Sequence, residues 1–313
     1  MKILVAGAGA MGSRFAYMLV KSGNDVVITD SWKQHIDVIN NKGLKVLIDG
    51  YNMGTYRLPA FLPNEVHGEF DLIILLTKAM QLESMLQDIK HVFSDNTLVI
   101  NLVSGLGNAE QILEYVTMDR LYVASNYWTA GLGGPGVVDA VGEGTIKLQI
   151  YKNDSSQYDE QVIDVLNSAG FRAKLSHDVF LDIWKELAVS SVINPMCAIL
   201  DCTIAQFGAY KGNVEISRLI LDEIVEVAKH ENVVLNIEDI LDKISSLFPD
   251  TVAGRHYPSM HQDLMTKRNT EIDYLNGYIV QLGLKYDVLT PINSIIRHQI
   301  KLKEQLNEGS KKR

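Results

Sequence analysis

The pattern of apolar and polar positions changes character near the middle of the chain. In the first half, short apolar runs alternate with stretches whose apolar residues recur at helical spacing, such as Phe15, Met18 and Leu19 within a predicted helix at 11–21. This alternation is typical of a parallel sheet whose strands are connected by helices. We predict strands at 2–6, 25–29, 70–76, 97–103, 121–126, 145–151 and 171–175.

The second half of the pattern is helical throughout. Predicted helices cover 181–188 with a continuation, 215–230, 259–264, 271–282 ended by Gly283, and 291–306 with Thr290 as N-cap. The predicted fold class is therefore α/β, with an N-terminal Rossmann-type doubly wound sheet at 1–176 and a C-terminal all-helical domain at 177–313. A cleft between such domains is the expected substrate site.

A glycine-rich turn follows the first predicted strand. Gly7, Gly9 and Gly12 have the spacing G-x-G-x-x-G. This spacing allows a tight turn, close approach of a pyrophosphate to the backbone, and packing of the next helix on the strand. The N–H groups at the start of that helix attract phosphate. The sequence thus predicts a dinucleotide site whose residues are Gly7, Ala8, Gly9, Ala10, Met11 and Gly12.

Asp30 bears on which dinucleotide is bound. It stands at the carboxyl end of the second predicted strand, where a carboxylate accepts hydrogen bonds from the adenine ribose hydroxyls. The same charge repels the 2′-phosphate of NADP, although the nearby Lys33 could partly offset this repulsion. The cofactor is expected to be NAD or NADP, with NAD favoured.

Three later segments follow predicted strands and belong at the same edge of the sheet. They are Lys78, Ser104 and the loop TAGLGGPG at 129–136. Ligands of open parallel sheets collect at the carboxyl ends of strands. We therefore expect Lys78, Ser104 and this loop to line the nicotinamide end of the site, although each could equally belong to an ordinary loop without a role.

One predicted helix carries a row of polar residues through an apolar stretch. In WKELAVSSVINP, at 184–195, Glu186, Ser190 and Asn194 recur at steps of four. Such a step keeps side chains on one face of a helix. The row is a candidate wall of an active site.

Composition excludes several classes of function. The chain of 313 residues carries a formal net charge of −9, which gives no general affinity for nucleic acid or anionic membranes. No apolar run approaches the roughly 20 residues of a membrane span, and the chain begins on a strand, so we expect a cytoplasmic protein. Its two cysteines, Cys197 and Cys202, are too few for a disulfide framework or a zinc site and are expected in or near the core. The basic end at 311–313 is expected to be a solvated tail.

Several motifs resemble the ketopantoate reductase (2-dehydropantoate 2-reductase) family over nearly the whole chain. The resemblance implies hydride transfer from a reduced nicotinamide to the ketone of a 2-keto acid, which gives an (R)-2-hydroxy acid. It also implies a possible homodimer through the helical domain. The motifs are GAGAMG at 7–12, TKAMQ at 77–81, GLG at 105–107, INPMCAI at 193–199, PSMHQDL at 258–264 and TEIDYLNG at 270–277.

The resemblance assigns roles to some residues and fails at others. Asn194 and Ser259 match substrate-binding positions, Glu271 matches a pocket glutamate, and Lys78 matches a lysine near the cofactor. Three positions depart from the family pattern. Glu186 replaces the lysine that protonates the carbonyl oxygen, Ser190 replaces an asparagine of the same helix, and Ser104 replaces an asparagine that touches cofactor and substrate.

Glu186 leaves three accounts of the chemistry open. Lys185 could replace the missing lysine, but it lies about 100° around an α-helix from Glu186, so a one-residue bulge would be needed. Glu186 could instead be kept protonated by burial and act as the acid itself. The ketopantoate reaction could also be lost, leaving another substrate or a silent dinucleotide-binding module. Asp30 fits the branch of the family that uses NAD as D-2-hydroxyacid dehydrogenases.

Overall fold

The structure, a computed structural model, describes residues 1–152 and 155–311 and divides into two compact units. The first comprises Met1–Val103 and Asn108–Val179, and the second comprises Ser104–Gly107 and the described chain from Phe180 onward. The sequence division at 176/177 did not include the excursion at Ser104–Gly107. Of the expected basic tail, residues 312 and 313 lie outside the described residues.

The first unit contains the strands. Among the described residues they form one sheet of eight strands and one of four. In the order of the chain the strands are β1 Lys2–Ala6, β2 Asp25–Thr29, β3 Leu44–Ile48, β4 Tyr51–Tyr56, β5 Ala60–Phe61, β6 Leu72–Leu75, β7 Leu98–Asn101, β8 Leu121–Asn126, β9 Thr129–Gly134, β10 Val137–Val141, β11 Ile146–Ile150 and β12 Ala173–Leu175.

The large sheet confirms the predicted doubly wound fold. Its order is β12-β11-β8-β7-β6-β1-β2-β5 within the described chain, and β1 pairs in parallel with both β2 and β6. The chain therefore builds to one side of β1 and then to the other, so the carboxyl ends of β1, β2 and β6 share one edge. Only the pairing of β8 with β11 is antiparallel among the described pairs of this sheet.

Helices flank this sheet and make up the second unit, as the helical pattern predicts. They are α1 Ala10–Lys21, α2 Lys33–Lys42, α3 Leu82–Ile89, α4 Asn108–Ile112, α5 Asp159–Ser168, α6 Val179–Leu200, α7 Ile204–Ala209, α8 Asn213–His230, α9 Ile237–Ser245, α10 Ser259–Met265, α11 Asn276–Tyr286 and α12 Pro291–Lys311.

Two local predictions are wrong. Residues 129–134 are strand β9 instead of a loop, because they pair antiparallel with β10 in the small sheet, which the sequence pattern did not reveal. The predicted helix at 271–282 begins at Asn276, after a 3-10 turn at Ile272–Tyr274, and Gly283 is buried inside it. The cap of α11 is instead Asp287, whose backbone is left-handed.

Each unit has its own apolar core, and α6 supplies much of the second. Trp184, Leu187, Val192 and Cys197 of this helix are at most 3% exposed. Among the described residues α6 also has the length and mean hydropathy of a membrane span, although Asp182, Lys185 and Glu186 interrupt its apolar run. Length and hydropathy do not distinguish a core helix from a span, and here the apolar residues of α6 pack against those of other helices.

Candidate active site

The glycine turn lies between β1 and α1, where close packing excludes side chains. Gly7 has φ +100°, and a Cβ placed on it would lie 2.5 Å from the Thr77 nitrogen. A Cβ on Gly12 would lie 1.8 Å from the Gly7 carbonyl oxygen. A Cβ on Gly9 would meet nothing within 4 Å. The turn is therefore tightly packed at Gly7 and Gly12 and open at Gly9.

The start of α1 provides the polar groups of this turn. Gly9 is the N-cap and offers no side chain to bond the first N–H groups of the helix, and no acidic residue occupies its first turn. These N–H groups and the positive end of the helix dipole favour a phosphate. The open space, the uncapped helix and the absence of acids from this turn together fit the pyrophosphate of a dinucleotide.

A chain of hydrogen bonds through His35 supports the glycine turn. The Gly136 N–H donates to His35 Nδ1 at 3.0 Å, which leaves the proton on Nε2. Nε2 lies 3.3 Å from Ser13 Oγ, and that hydroxyl donates to the Ala8 carbonyl at 2.8 Å. Burial lowers the pKa of His35, so the ring is neutral near pH 7. No sequence motif indicated this residue.

Asp30 and Lys78 lie at the same sheet edge as the glycine turn. The Gly7 and Ala8 N–H groups both donate to the Thr29 carbonyl, which places Asp30 next to the turn. Asp30 Oδ1 accepts a hydrogen bond from the Trp32 N–H at 2.8 Å. Lys33 Nζ lies 2.8 Å from both carboxylate oxygens of Asp37, so its charge is engaged there. Lys78 follows Thr77, whose nitrogen packs against Gly7.

The polar row on α6 is present as predicted by its spacing. Residues 179–200 are α-helical without interruption, so Glu186, Ser190 and Asn194 share one face. The bulge that would bring Lys185 into this row is absent from the helix, and Lys185 lies about 100° away. The structure therefore gives the first account of the missing lysine no support.

Glu186 has an unusual electrostatic environment. Desolvation raises the pKa of its carboxyl group, and the negative charge of Glu271 acts in the same direction. The Glu186 residue is exposed to solvent, so water weakens both the desolvation and the repulsion from Glu271. A raised pKa keeps the proton on the carboxyl group to a higher pH than usual, which is the property that a general acid needs.

Glu271 lies in a segment that is tied to α12 at both ends. Thr270 donates from its N–H and its hydroxyl to Glu304 Oε1, at 2.7 Å each. Arg297 Nε donates to Asp273 Oδ1 at 2.7 Å. Glu304, only 5% exposed, thus fixes the residue before Glu271. Sequence reasoning quoted the motif around Glu271 but gave no role to Thr270, Asp273 or Glu304.

Two other predicted residues take separate positions in the second unit. Ser259 is the exposed first residue of α10. Ser104 opens the segment Ser104–Gly107, which groups with the helices. Gly105 has φ +89°, and a Cβ there would lie 2.8 Å from the Tyr274 carbonyl oxygen, so this segment packs tightly against the start of α11.

Comparison with known proteins decides the family. The sequence model described as "Ketopantoate reductase PanE/ApbA" matches residues 3–153, and its C-terminal counterpart matches residues 178–304. The chain belongs to the ketopantoate reductase family. It is 38% identical to 2-dehydropantoate 2-reductase of Lactococcus lactis over 98% of this chain and 99% of that protein. The corresponding Streptococcus pyogenes protein is 39% identical over 97% of this chain and 98% of its own length.

A solved structure extends the comparison to a second activity. D-mandelate dehydrogenase, solved with NADH and anilino(oxo)acetate, is 38% identical, with a TM-score of 0.93 over 98% of this chain and 100% of that chain. The enzyme class predicted from sequence, a nicotinamide-dependent oxidoreductase resembling 2-dehydropantoate 2-reductase, is confirmed by the family match.

Proposed function

We propose that this ketopantoate reductase family member reduces a 2-keto acid to an (R)-2-hydroxy acid, with Glu186 as the proton donor. The observation that carries the proposal is the polar row of α6, headed by a carboxyl group whose pKa is raised by desolvation and by Glu271. The second of the three accounts drawn from sequence is therefore preferred.

The residues of the first unit hold the cofactor. The open turn at Gly9 and the first N–H groups of α1 receive the pyrophosphate, and Asp30 accepts hydrogen bonds from the adenine ribose. Lys78, which follows the strand end packed on Gly7, is assigned to the same cofactor. The bound nicotinamide supplies the hydride.

The residues of the second unit hold the keto acid and move the proton. Ser190, Asn194 and Ser259 provide hydrogen bonds to the substrate. In its protonated form the Glu186 carboxyl donates its proton to the carbonyl oxygen as the ketone carbon gains the hydride. Desolvation and the charge of Glu271 raise the pKa of Glu186 and so extend this form to higher pH. Ser104 is assigned to contacts with cofactor and substrate on resemblance alone.

Two observations favour NAD and a keto acid other than ketopantoate as a second candidate. Asp30 is not neutralised by Lys33, because Lys33 pairs with Asp37. D-mandelate dehydrogenase, 38% identical, was solved with NADH and anilino(oxo)acetate. In this second candidate function, the same residues act with NAD on a 2-keto acid whose side chain differs from that of ketopantoate.

The test is the initial rate of NADH and NADPH oxidation with ketopantoate and with straight, branched and aromatic 2-keto acids. Reduction of any of them supports the proposal and identifies the substrate class and cofactor. Glu186→Gln is expected to lower kcat about 100-fold or more with unchanged NADH binding. The matched control Glu226→Gln changes a surface glutamate paired with Lys229 and leaves kcat unchanged.

A lack of turnover on the whole panel, with NADH still bound, would contradict the proposal and identify a silent dinucleotide-binding module. An unchanged kcat in Glu186→Gln would be consistent with the proposed reaction but would contradict Glu186 as its proton donor. The rate of the native enzyme should fall as the pH rises through the raised pKa of Glu186, because only the protonated carboxyl donates.

Assembly and location are proposed on resemblance and composition. The protein is proposed to be a cytoplasmic homodimer through its helical unit, with no nucleic-acid or membrane partner. Light scattering after size-exclusion chromatography should give a mass twice that of the 34.9 kDa chain. A mass of one chain at working concentration would contradict the dimer.

A further inference from the structure

A proline inside α6 removes one of the hydrogen bonds that hold this helix. Pro195 lies within Val179–Leu200 and has no N–H group to donate to the carbonyl of Ser191, four residues earlier. Ser191 and Pro195 are both buried, so water does not replace the missing bond. A buried carbonyl without a donor is costly, so another group must meet it.

That group is the side chain of Asn276, the first residue of α11. Its Nδ2 donates to the Ser191 carbonyl at 3.0 Å, and Asn276 is fully buried. A carbonyl oxygen only accepts, so the amide nitrogen must face it. The bond joins positions 85 residues apart in the sequence and replaces the helical bond that Pro195 removes.

The amide of Asn276 is itself held in place. Its second N–H donates to Asn293 Oδ1 at 2.9 Å. Asn293 in turn donates through Nδ2 to Glu223 Oε2 at 2.7 Å, and its backbone N–H donates to the same carboxylate at 2.9 Å. Glu223 therefore caps α12 and anchors the network to α8. Both N–H groups of Asn276 are used, which fixes its orientation.

The Ser191 carbonyl that accepts from Asn276 lies beside the polar row of α6. Ser191 directly follows Ser190, and Pro195 directly follows Asn194. The missing bond would span residues 191–195, a turn that contains Asn194 and directly follows Ser190. Any movement of this turn changes where their side chains point, and small displacements of binding groups have large kinetic effects.

We propose that Asn276 is a positioning residue that fixes the Ser190–Asn194 turn of α6 for the keto acid. This inference rests on the proposed function for its kinetic consequence, but its structural part stands separately. Asn276 acts through α6 and is not assigned a contact with substrate.

The test combines Asn276→Leu with Pro195→Ala. Asn276→Leu removes the donor, so KM for the keto acid is expected to rise about 10- to 100-fold with a smaller change in kcat. The Kd for NADH should change less than KM, because the glycine turn, Asp30 and Lys78, which are proposed to hold the cofactor, lie in the first unit. In the double variant, the backbone N–H of the introduced alanine can donate to Ser191 again, so KM should return toward that of Pro195→Ala alone.

A matched control separates positioning from general stability. Asn213 Nδ2 also donates to two backbone carbonyls, those of Gly208 and Tyr210, in the same unit. Asn213→Leu should lower the denaturation midpoint without changing KM. An equal rise in KM in Asn213→Leu, or no recovery in the double variant, would overturn the proposal.

Hydrogen exchange gives a readout that needs no turnover. Amides of α6 at residues 190–194 should exchange faster in Asn276→Leu and slow down again in the double variant. Unchanged exchange of this turn in Asn276→Leu would overturn the positioning role. If the native enzyme reduces no keto acid, the proposed function fails, while the exchange experiment still decides the role of Asn276.

Discussion

At the scale of single residues, two carboxylates carry the proposed cofactor preference and the proposed proton transfer. Asp30 is positioned by the hydrogen bond from the Trp32 N–H and is not neutralised by Lys33. By the resemblance Glu186 replaces a lysine, and its pKa is raised by desolvation and by Glu271. In the proposed function, Asp30 governs the choice of cofactor and Glu186 donates the proton.

Replacing Asp30 tests the cofactor preference. In Asp30→Ala the hydrogen bonds to the ribose hydroxyls are lost and a repulsive charge near the 2′-phosphate is removed. The Kd for NADH should rise by about 10- to 100-fold, which corresponds to roughly 1.5–3 kcal/mol. The Kd for NADPH should rise less or fall. Fluorescence titration measures both constants, with Asp25→Ala at the exposed start of β2 as control. An unchanged ratio of the two constants would contradict the role of Asp30.

Restoring the lysine of the family pattern tests what Glu186 replaced. In Glu186→Lys a cation faces Glu271 and can donate a proton to the forming alkoxide, so ketopantoate turnover should increase roughly tenfold or more. Glu226→Lys, a charge reversal on the surface of α8, should leave turnover unchanged. No gain in a folded variant that binds the cofactor would mean that the missing lysine is not the main departure from ketopantoate chemistry.

At the scale of elements, glycines let segments approach more closely than any other residue allows. Gly7 and Gly12 bring β1, α1 and the end of β6 together around the cofactor turn. Gly105 does the same where Ser104–Gly107 packs on the start of α11. Glu304 and Asn276 then fasten the surrounding elements through buried hydrogen bonds. The candidate residues are thus held by contacts between elements distant in the sequence.

Two glycines with the same backbone conformation separate strain from packing. Gly23 has φ +88° with nothing within 4 Å of a Cβ, whereas Gly105 has φ +89° with the Tyr274 carbonyl oxygen at 2.8 Å. Gly23→Ala should cost about 1 kcal/mol from backbone strain alone. Gly105→Ala should cost about 2–3 kcal/mol more because the segment must move. Urea midpoints followed by circular dichroism measure both, and equal shifts would show that packing at Gly105 is unimportant.

At the scale of the whole molecule, each unit has a separate core. The first core surrounds the large sheet, and the second is built around α6. His35 links the loop before β10 of the small sheet to the glycine turn within the first unit, because its ring accepts from the Gly136 N–H and hydrogen-bonds the Ser13 hydroxyl. The global stability of the protein therefore depends in part on the protonation state of this one buried ring.

Acid should destabilise the protein through His35. Burial lowers its pKa in the folded state below the value of about 6.5 expected when unfolded. As the pH falls below about 6.5, the unfolded chain binds the proton first, so stability falls until the pH reaches the lower folded pKa. Denaturation midpoints between pH 7.5 and pH 5 should show this loss. His35→Gln should be less stable at pH 7.5 but lack that part of the slope.

The exposed His67 of the same unit provides the control for this experiment. His67→Gln should keep the pH dependence of the native protein. A slope in His35→Gln as steep as the native one would show that other groups cause the acid destabilisation.

The local pattern of the sequence determined the elements that repeat a simple period or carry a dense motif. The main strands of the large sheet, the glycine turn, Asp30 at the end of β2 and the polar row of α6 all follow from spacing within one element. Resemblance added the enzyme class, which the family match confirms. Half of the predicted strand ends differ from the observed ones by one or two residues, because hydrogen bonding to neighbours decides where a strand stops.

Tertiary structure alone decided how those residues are held and charged. Residues 129–134 pair with β10 in the small sheet. The helix predicted from Glu271 starts at Asn276, after a segment in which Thr270 and Asp273 are tied to α12. The pKa of Glu186 depends on desolvation and on a residue 85 positions later. The side chain of Asn276 donates to the carbonyl of Ser191, 85 residues earlier, in place of the helical bond that Pro195 cannot make. Spacing along the chain carries none of this, since burial and pairing between distant segments arise only when the cores assemble.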